Sequence, residues 1–171
     1  MIESEPRGLG GWLILVAIGL ALTAGRAFLL VFGTFLPIFT GGQWEMLTTK
    51  GSPAYHPFWA PLLLFEVTGN ALLGVAAIAG LVLFFRKSAA FATFMIGLFL
   101  FGAMFLLIDV VAGTQIPAVS STDDSGGARD LVRSLVACAI WIPYMRKSQR
   151  VRNTFPTIAP VSRGVAENAA V

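Results

Sequence analysis

Apolar residues along this chain gather into four long runs, from about residue 9 to 36, 58 to 85, 89 to 112 and 129 to 145. A helix that crosses a bilayer needs roughly 20 predominantly apolar residues, and the first three runs reach that length. The fourth is shorter as an apolar run and is taken to begin at Arg129, whose long side chain can reach the interface while its stem stays in apolar surroundings. The pattern predicts four spanning helices over those ranges.

The connections differ in kind. TGGQWEMLTTKGSPAYHP, between the first two runs, has the glycines, prolines and lone lysine of an outer loop, and its QWEMLTT piece could form one or two turns of interfacial helix. Only Arg86, Lys87 and Ser88 separate the second run from the third, which predicts a tight helical hairpin. TQIPAVSSTDDSGGAR, before the fourth run, is polar and glycine-rich and reads as a mobile loop. Residues 1–8 form a short N-terminal segment, and 146–171 a basic tail whose end reads as disordered.

Composition changes the picture in one direction. The chain of 171 residues is 56% hydrophobic and 12% charged, with a mean hydropathy of +0.78, far from the balance of a soluble domain. Its basic residues cluster beside run ends: Arg7, then Arg86 and Lys87, then Arg146, Lys147, Arg150 and Arg152. All three clusters fall on one side of a four-span chain, and that side is cytoplasmic by the positive-inside rule. The expected fold is therefore all-α, an integral membrane four-helix bundle with both termini cytoplasmic and a short hairpin between spans 2 and 3. A cleaved signal peptide competes for the first run, since small residues follow at Thr23, Ala24 and Gly25. The two glutamates in MIESEPR and the return of apolar residues after Arg26 argue against it.

Charge at depth is the chemically informative feature. At a rise of 1.5 Å per residue Glu66 lies about 12 Å below Phe58, with Asn70 about one turn deeper, near the middle of a ~30 Å hydrocarbon layer. Arg26, Asp109 and Arg133 fall in the same outer half. An isolated charge there costs on the order of 3 kcal/mol or more, so such groups are expected to face inward and find partners. The formal charges of Arg26, Arg133, Glu66 and Asp109 sum to zero. We expect a connected network of these four with Asn70, testable through the pair Glu66 and Arg133. It supports two readings that the residues leave open: charges that fix helix register and rotation, or the lining of an outward-open cavity for an ion, a proton or a polar head group.

Other candidates are weaker. Trp12, Trp44, Trp59, Trp141 and Tyr144 read as interfacial anchors, and Pro143 as the end or a kink of its helix. His56 sits in a proline-bounded loop beside Tyr55 and Trp59, the setting of an aromatic belt more than of a ligand. Asp123 and Asp124 could bind a cation but read first as a solvated loop. The lone Cys138 excludes an internal disulfide or a thiolate-rich metal site, and no metal or cofactor is expected from the residues present. Small residues at fourfold spacing, Ala21 with Gly25 and Ala76 with Gly80, could admit close helix approach. No nucleophile elbow, zinc-binding helix, phosphate loop or dinucleotide fingerprint occurs, so no enzyme activity is expected. Nor do the basic clusters have the aromatic interleaving of nucleic-acid binding.

GLGGWLIL at 8–15, HPFWAPLLLFEVTGN at 56–70, the aspartate of LLIDVVAG and above all RSLVACAIWIPYMRKSQRVRNTF at 133–155 resemble the bacterial membrane proteins of domain-of-unknown-function family 2569. The resemblance covers about residues 8 to 155. It implies a four-helix protein of the bacterial inner membrane and no particular activity. Glu66, Asn70, Asp109 and Arg133 stand where the family's polar pattern does. The functional expectation is a non-enzymatic accessory or assembly partner of other membrane components, touching the lipid bilayer and another membrane protein or a second copy. The alternatives are a small carrier or channel built on the charge cluster, and binding of anionic lipid head groups by Arg26 and Arg133.

Overall fold

A computed structural model describes residues 8–120 and 126–155, and among these every regular element is helical. The first long helix is α1, Trp12–Phe28, continued without a break by a π-helical turn, Leu29–Phe35, and by α2, Leu36–Thr40. There follow α3 (Gln43–Thr48), α4 (Trp59–Phe85), α5 (Phe91–Gly113), α6 (Pro117–Ser120), α7 (Gly126–Lys147) and α8 (Gln149–Thr154). In hydrocarbon a backbone must satisfy its own polar groups, which a helix does within the segment. Pro61 and Pro117 respect that requirement by standing in first turns, where no intrahelical bond is lost, and Pro37 stands just after the π-helical turn inside the first long helix.

Among the described residues, three helices are long and apolar enough to cross a membrane: Trp12–Thr40, Trp59–Phe85 and Phe91–Gly113. Their outward sides remain apolar, with Leu22 69% and Val75 67% exposed. The fourth expected span lies within α7, which is 22 residues long but carries Arg129, Asp130 and Arg133 in its first two turns. Pro143 lies inside α7, and the helix runs on past it to Lys147. The first span is shifted from its expected bounds, starting at Trp12 and continuing through the π-helical turn to Thr40. The interfacial turn expected at QWEMLTT is α3.

α1 packs along α4, α4 along α5, and α5 along α7. The register is antiparallel at each step. Leu20 meets Gly80 and Ala27 meets Gly74; Phe84 meets Phe91 and Gly69 meets Phe105; Cys138 Sγ donates to the Phe99 carbonyl at 3.4 Å. The close approaches use Gly69, Gly74, Ala77 and Gly80 on the buried side of α4. Ala21 and Gly25, expected to serve the same purpose, are exposed.

The helix ends thus divide into two faces. At the hairpin face α4 turns into α5: Lys87 takes a left-handed φ of 50°, and the amides of Lys87 and Ser88 donate to the carbonyls of Phe84 and Leu83 at 3.0 Å. This is how a helix C-terminus satisfies its last carbonyls. The core is centred here, where Leu13, Phe84, Phe91, Met95, Met145, Val151 and Phe155 are buried together. Expected only as basic tail, residues 149–154 are α8, which folds under the helix ends. Ser148 caps it by accepting from the Val151 amide, and Thr154 accepts from the Gly8 amide at 3.1 Å. The loop face, bearing residues 41–58, holds the polar groups.

Candidate functional site

The α4–α5 hairpin register runs from Phe84 opposite Phe91, through Gly80 near Phe94 and Leu73 near Gly102, to Gly69 against Phe105. One more turn toward the loop face sets Glu66 on α4 opposite Asp109 on α5. Their carboxyl groups lie within hydrogen-bonding reach of one another. Such a contact is a hydrogen bond when the pair holds one proton and a repulsion when it holds none. Asp109 Oδ1 is buried and, among the described residues, has no hydrogen-bond partner. Asn70 does not reach the carboxyl group: its Nδ2 donates to the backbone carbonyl of Glu66 at 2.9 Å.

The α1–α4 register, extended toward the loop face, lays the π-helical turn beside this stretch of α4, and the two are packed together. The amide of Leu36 bonds five residues back to Val31. π-helical turns are rare and concentrate at functional sites, and this one begins three residues after Arg26.

Arg26 and Arg133 turn to a residue that the sequence reading passed over. Asp130 accepts from Arg26 Nη2 at 3.0 Å and from Arg133 Nη1 at 3.2 Å. The two arginine side chains are 66% and 70% exposed, against 27% for Asp130. The expected single network of four charges is therefore two separate ties. A carboxyl pair joins α4 to α5, and an arginine–aspartate–arginine cluster joins α1 to α7. The expected partnership of Glu66 with Arg133 is replaced by Glu66 with Asp109, because the hairpin register sets those two residues opposite one another. Two signals pointed to this arrangement: the length of the 86–88 turn, which sets the register, and the i, i+3 spacing of Asp130 and Arg133, which sets them on one helical face.

α1 and α7 meet through side chains at two levels. At the loop face it is the Arg26–Asp130 bridge. At the hairpin face it is Trp12 against Trp141, edge to face with ring centroids 6.2 Å apart, and Tyr144 packs edge-on to Trp141 at 5.6 Å. Three of the five expected interfacial anchors thus form one aromatic cluster. Trp44 stacks obliquely on Phe39 at 5.0 Å, and Trp59 opens α4. Between the two levels lies a groove of about 280 Å³, whose walls include Gly19 and Thr23 from α1 and Ser134 and Ala137 from α7, over a floor that includes Leu73 and Phe99. A second groove, about 470 Å³, opens on the α4–α5 flank among Leu64, Phe65, Leu72, Phe101 and Met104. Neither is lined by Glu66, Asn70 or Asp109.

His56 stays in its loop, where its amide donates to the Leu47 carbonyl at 3.4 Å and its ring stacks on Phe58. Asp123 and Asp124 lie outside the described residues.

Apolar helices of spanning length, ringed by apolar side chains and tied by polar groups near one face, define this as a membrane protein. Residues 6–156 match the family described as "Protein of unknown function (DUF2569)", and the chain belongs to that family. The match ends one residue beyond Phe155, so the α8 closure lies within it. No curated protein and no solved structure matches the chain.

Proposed function

We propose that this chain is a four-span protein of the bacterial inner membrane, with both termini cytoplasmic, which acts without chemistry of its own as an accessory or assembly partner of other membrane components. The observation that carries this reading is where the polar groups go. The deep carboxyls are spent between neighbouring helices of the chain itself, while the groove on the α4–α5 flank offers an apolar lateral surface. A carrier needs its charged groups on a path for solute, whereas a partner protein needs lateral surface. The test is native mass spectrometry of the tagged protein extracted gently from its own membranes. The expected result is a stoichiometric protein partner; movement of a solute by the purified protein alone in proteoliposomes would refute the reading.

A second reading rests on a specific observation, the buried Asp109 Oδ1 beside Glu66, an oxygen with no donor among the described residues. An embedded carboxyl pair is the kind of group that carries a proton or small cation through a bundle. On that reading Glu66→Gln abolishes a proton-coupled signal in liposomes and leaves the fold intact. An unchanged signal removes it.

A further inference from the structure

The groove between α1 and α7 differs from the one on the α4–α5 flank in having a charged mouth. Arg26, Asp130 and Arg133 do not line the groove itself, but Thr23 is one turn from Arg26 and Ser134 one turn from Asp130, so the bridged cluster stands one turn beyond the groove's loop-face end. Among the described residues it joins two guanidinium groups to one carboxylate, a formal excess of one positive charge within the cluster. Arg26 gives Nη2 and Arg133 gives Nη1 to Asp130. A guanidinium has five N–H donors in a planar fork, and both side chains are mostly exposed. Donors are therefore left over on both arginines, which Asp130 holds in place. Below them the groove is apolar, relieved by the hydroxyls of Thr23 and Ser134, and the Thr23 hydroxyl already donates to the Gly19 carbonyl at 2.8 Å. The Trp12–Trp141 contact closes the other end.

We infer that this groove is a seat for one anionic phospholipid, its phosphate held by Arg26 and Arg133 and an acyl chain lying between α1 and α7. Charge complementarity selects this occupant. A purely apolar helix would leave the arginines' spare donors unanswered, and a zwitterionic lipid would add a cation to a mouth that is already positive. Planar, bidentate recognition of phosphate is what arginine does better than lysine. An acyl chain also suits the walls, because Gly19 and Ala137 leave room that larger residues would fill. Nothing stands within 4 Å of where a Cβ at Gly19 would be. By the placement of the basic clusters the mouth lies in the outer leaflet.

The experiment uses the full chain, purified in mild detergent, with bound lipid quantified by mass spectrometry. The wild type is expected to retain phosphatidylglycerol or another anionic phospholipid in excess over its share of the source membrane. Arg26→Ala and Arg133→Ala should each weaken retention about fivefold, the effect of roughly 1 kcal/mol per arginine at a lipid surface. Gly19→Phe, which fills the groove and leaves both arginines, should weaken it as well, while Arg86→Ala on the hairpin face should not. If Gly19→Phe retains as much lipid as the wild type, the arginines act as a bare surface charge and the groove proposal fails. It fails equally if zwitterionic lipid is retained as strongly, or if Gly19→Cys in a Cys138→Ser background crosslinks to a second copy. Delipidated wild-type protein provides a check independent of any variant. Added phosphatidylglycerol should raise its melting temperature, and phosphatidylcholine or soluble glycerol phosphate should not; an equal rise with either overturns the assignment.

Discussion

The two faces of the molecule are held by different physics. At the hairpin face, Leu13 and Phe91 have no exposed surface, and Phe155 stacks on Phe91 with ring centroids 4.4 Å apart while Phe84 meets both rings. Aromatic pairs of this kind add about 0.5–1.5 kcal/mol beyond the area they bury, and α8 brings Phe155 to them from beyond the last long helix. At the loop face the helices are joined by carboxyl groups and arginines and flanked by a π-helical turn. Polar contacts there contribute little where water reaches them, though they are costly to leave unmade where it does not. The difference teaches that packing is concentrated where the chain is apolar and dense, while the polar end is held by a few charged contacts between helices.

The comparison breaks most readily at the packed face. Phe91→Ala should cost about 3–5 kcal/mol, the usual effect of removing a fully buried phenylalanine, read as a loss of folded protein in a denaturant or thermal series. A middle-sized effect is expected between the faces, at the α4–α5 contact. A side chain at Gly69 would run into the Phe105 ring, so Gly69→Leu should destabilise by about 1–3 kcal/mol through overpacking and weaken the adjoining Glu66–Asp109 register. Thr154→Val keeps shape at the hairpin face but removes the hydroxyl that bonds both the amide and the carbonyl of Gly8. It should cost about 1 kcal/mol, with earlier proteolysis at the N-terminus. The smallest effect belongs to the exposed tie. A double-mutant cycle on Arg26 and Asp130 should give a coupling of about 0.2–1 kcal/mol, shrinking with salt. The cycle on Glu66 and Arg133 should be additive within about 0.5 kcal/mol.

Much of the fold was legible from the runs themselves. The second and third spans match α4 and α5 closely, and the Arg86–Ser88 hairpin stands where its brevity required. The π-helical turn within the first span leaves no mark on the hydrophobic pattern, because π and α turns are built from the same apolar residues. α8 was obscured by its charges: Arg150 and Arg152 drew attention from Val151, Thr154 and Phe155, an i, i+3, i+4 stripe that marks a buried face. The candidate site shows the same imbalance. Depth singles out Glu66, Asn70, Asp109, Arg26 and Arg133, but opposite charge is a poor guide to their partners. Turn length was the better guide. Glu66 stands 21 residues before Lys87 and Asp109 stands 22 after it, so an antiparallel hairpin turning there must set them side by side. Asp130 gives no such signal, because a carboxylate at a span's edge, between arginines, reads as solvated when each helix is considered alone.

The central claim is that the deep charges form two separate ties. Its most direct test is short-range thiol crosslinking in membranes, in a Cys138→Ser background, with paired cysteines at positions 66 and 109, 26 and 130, and 66 and 133. Efficient linking of the first two pairs and none of the third is the predicted result. Linking of 66 to 133 without 66 to 109 would contradict it and restore a single charge-neutral network.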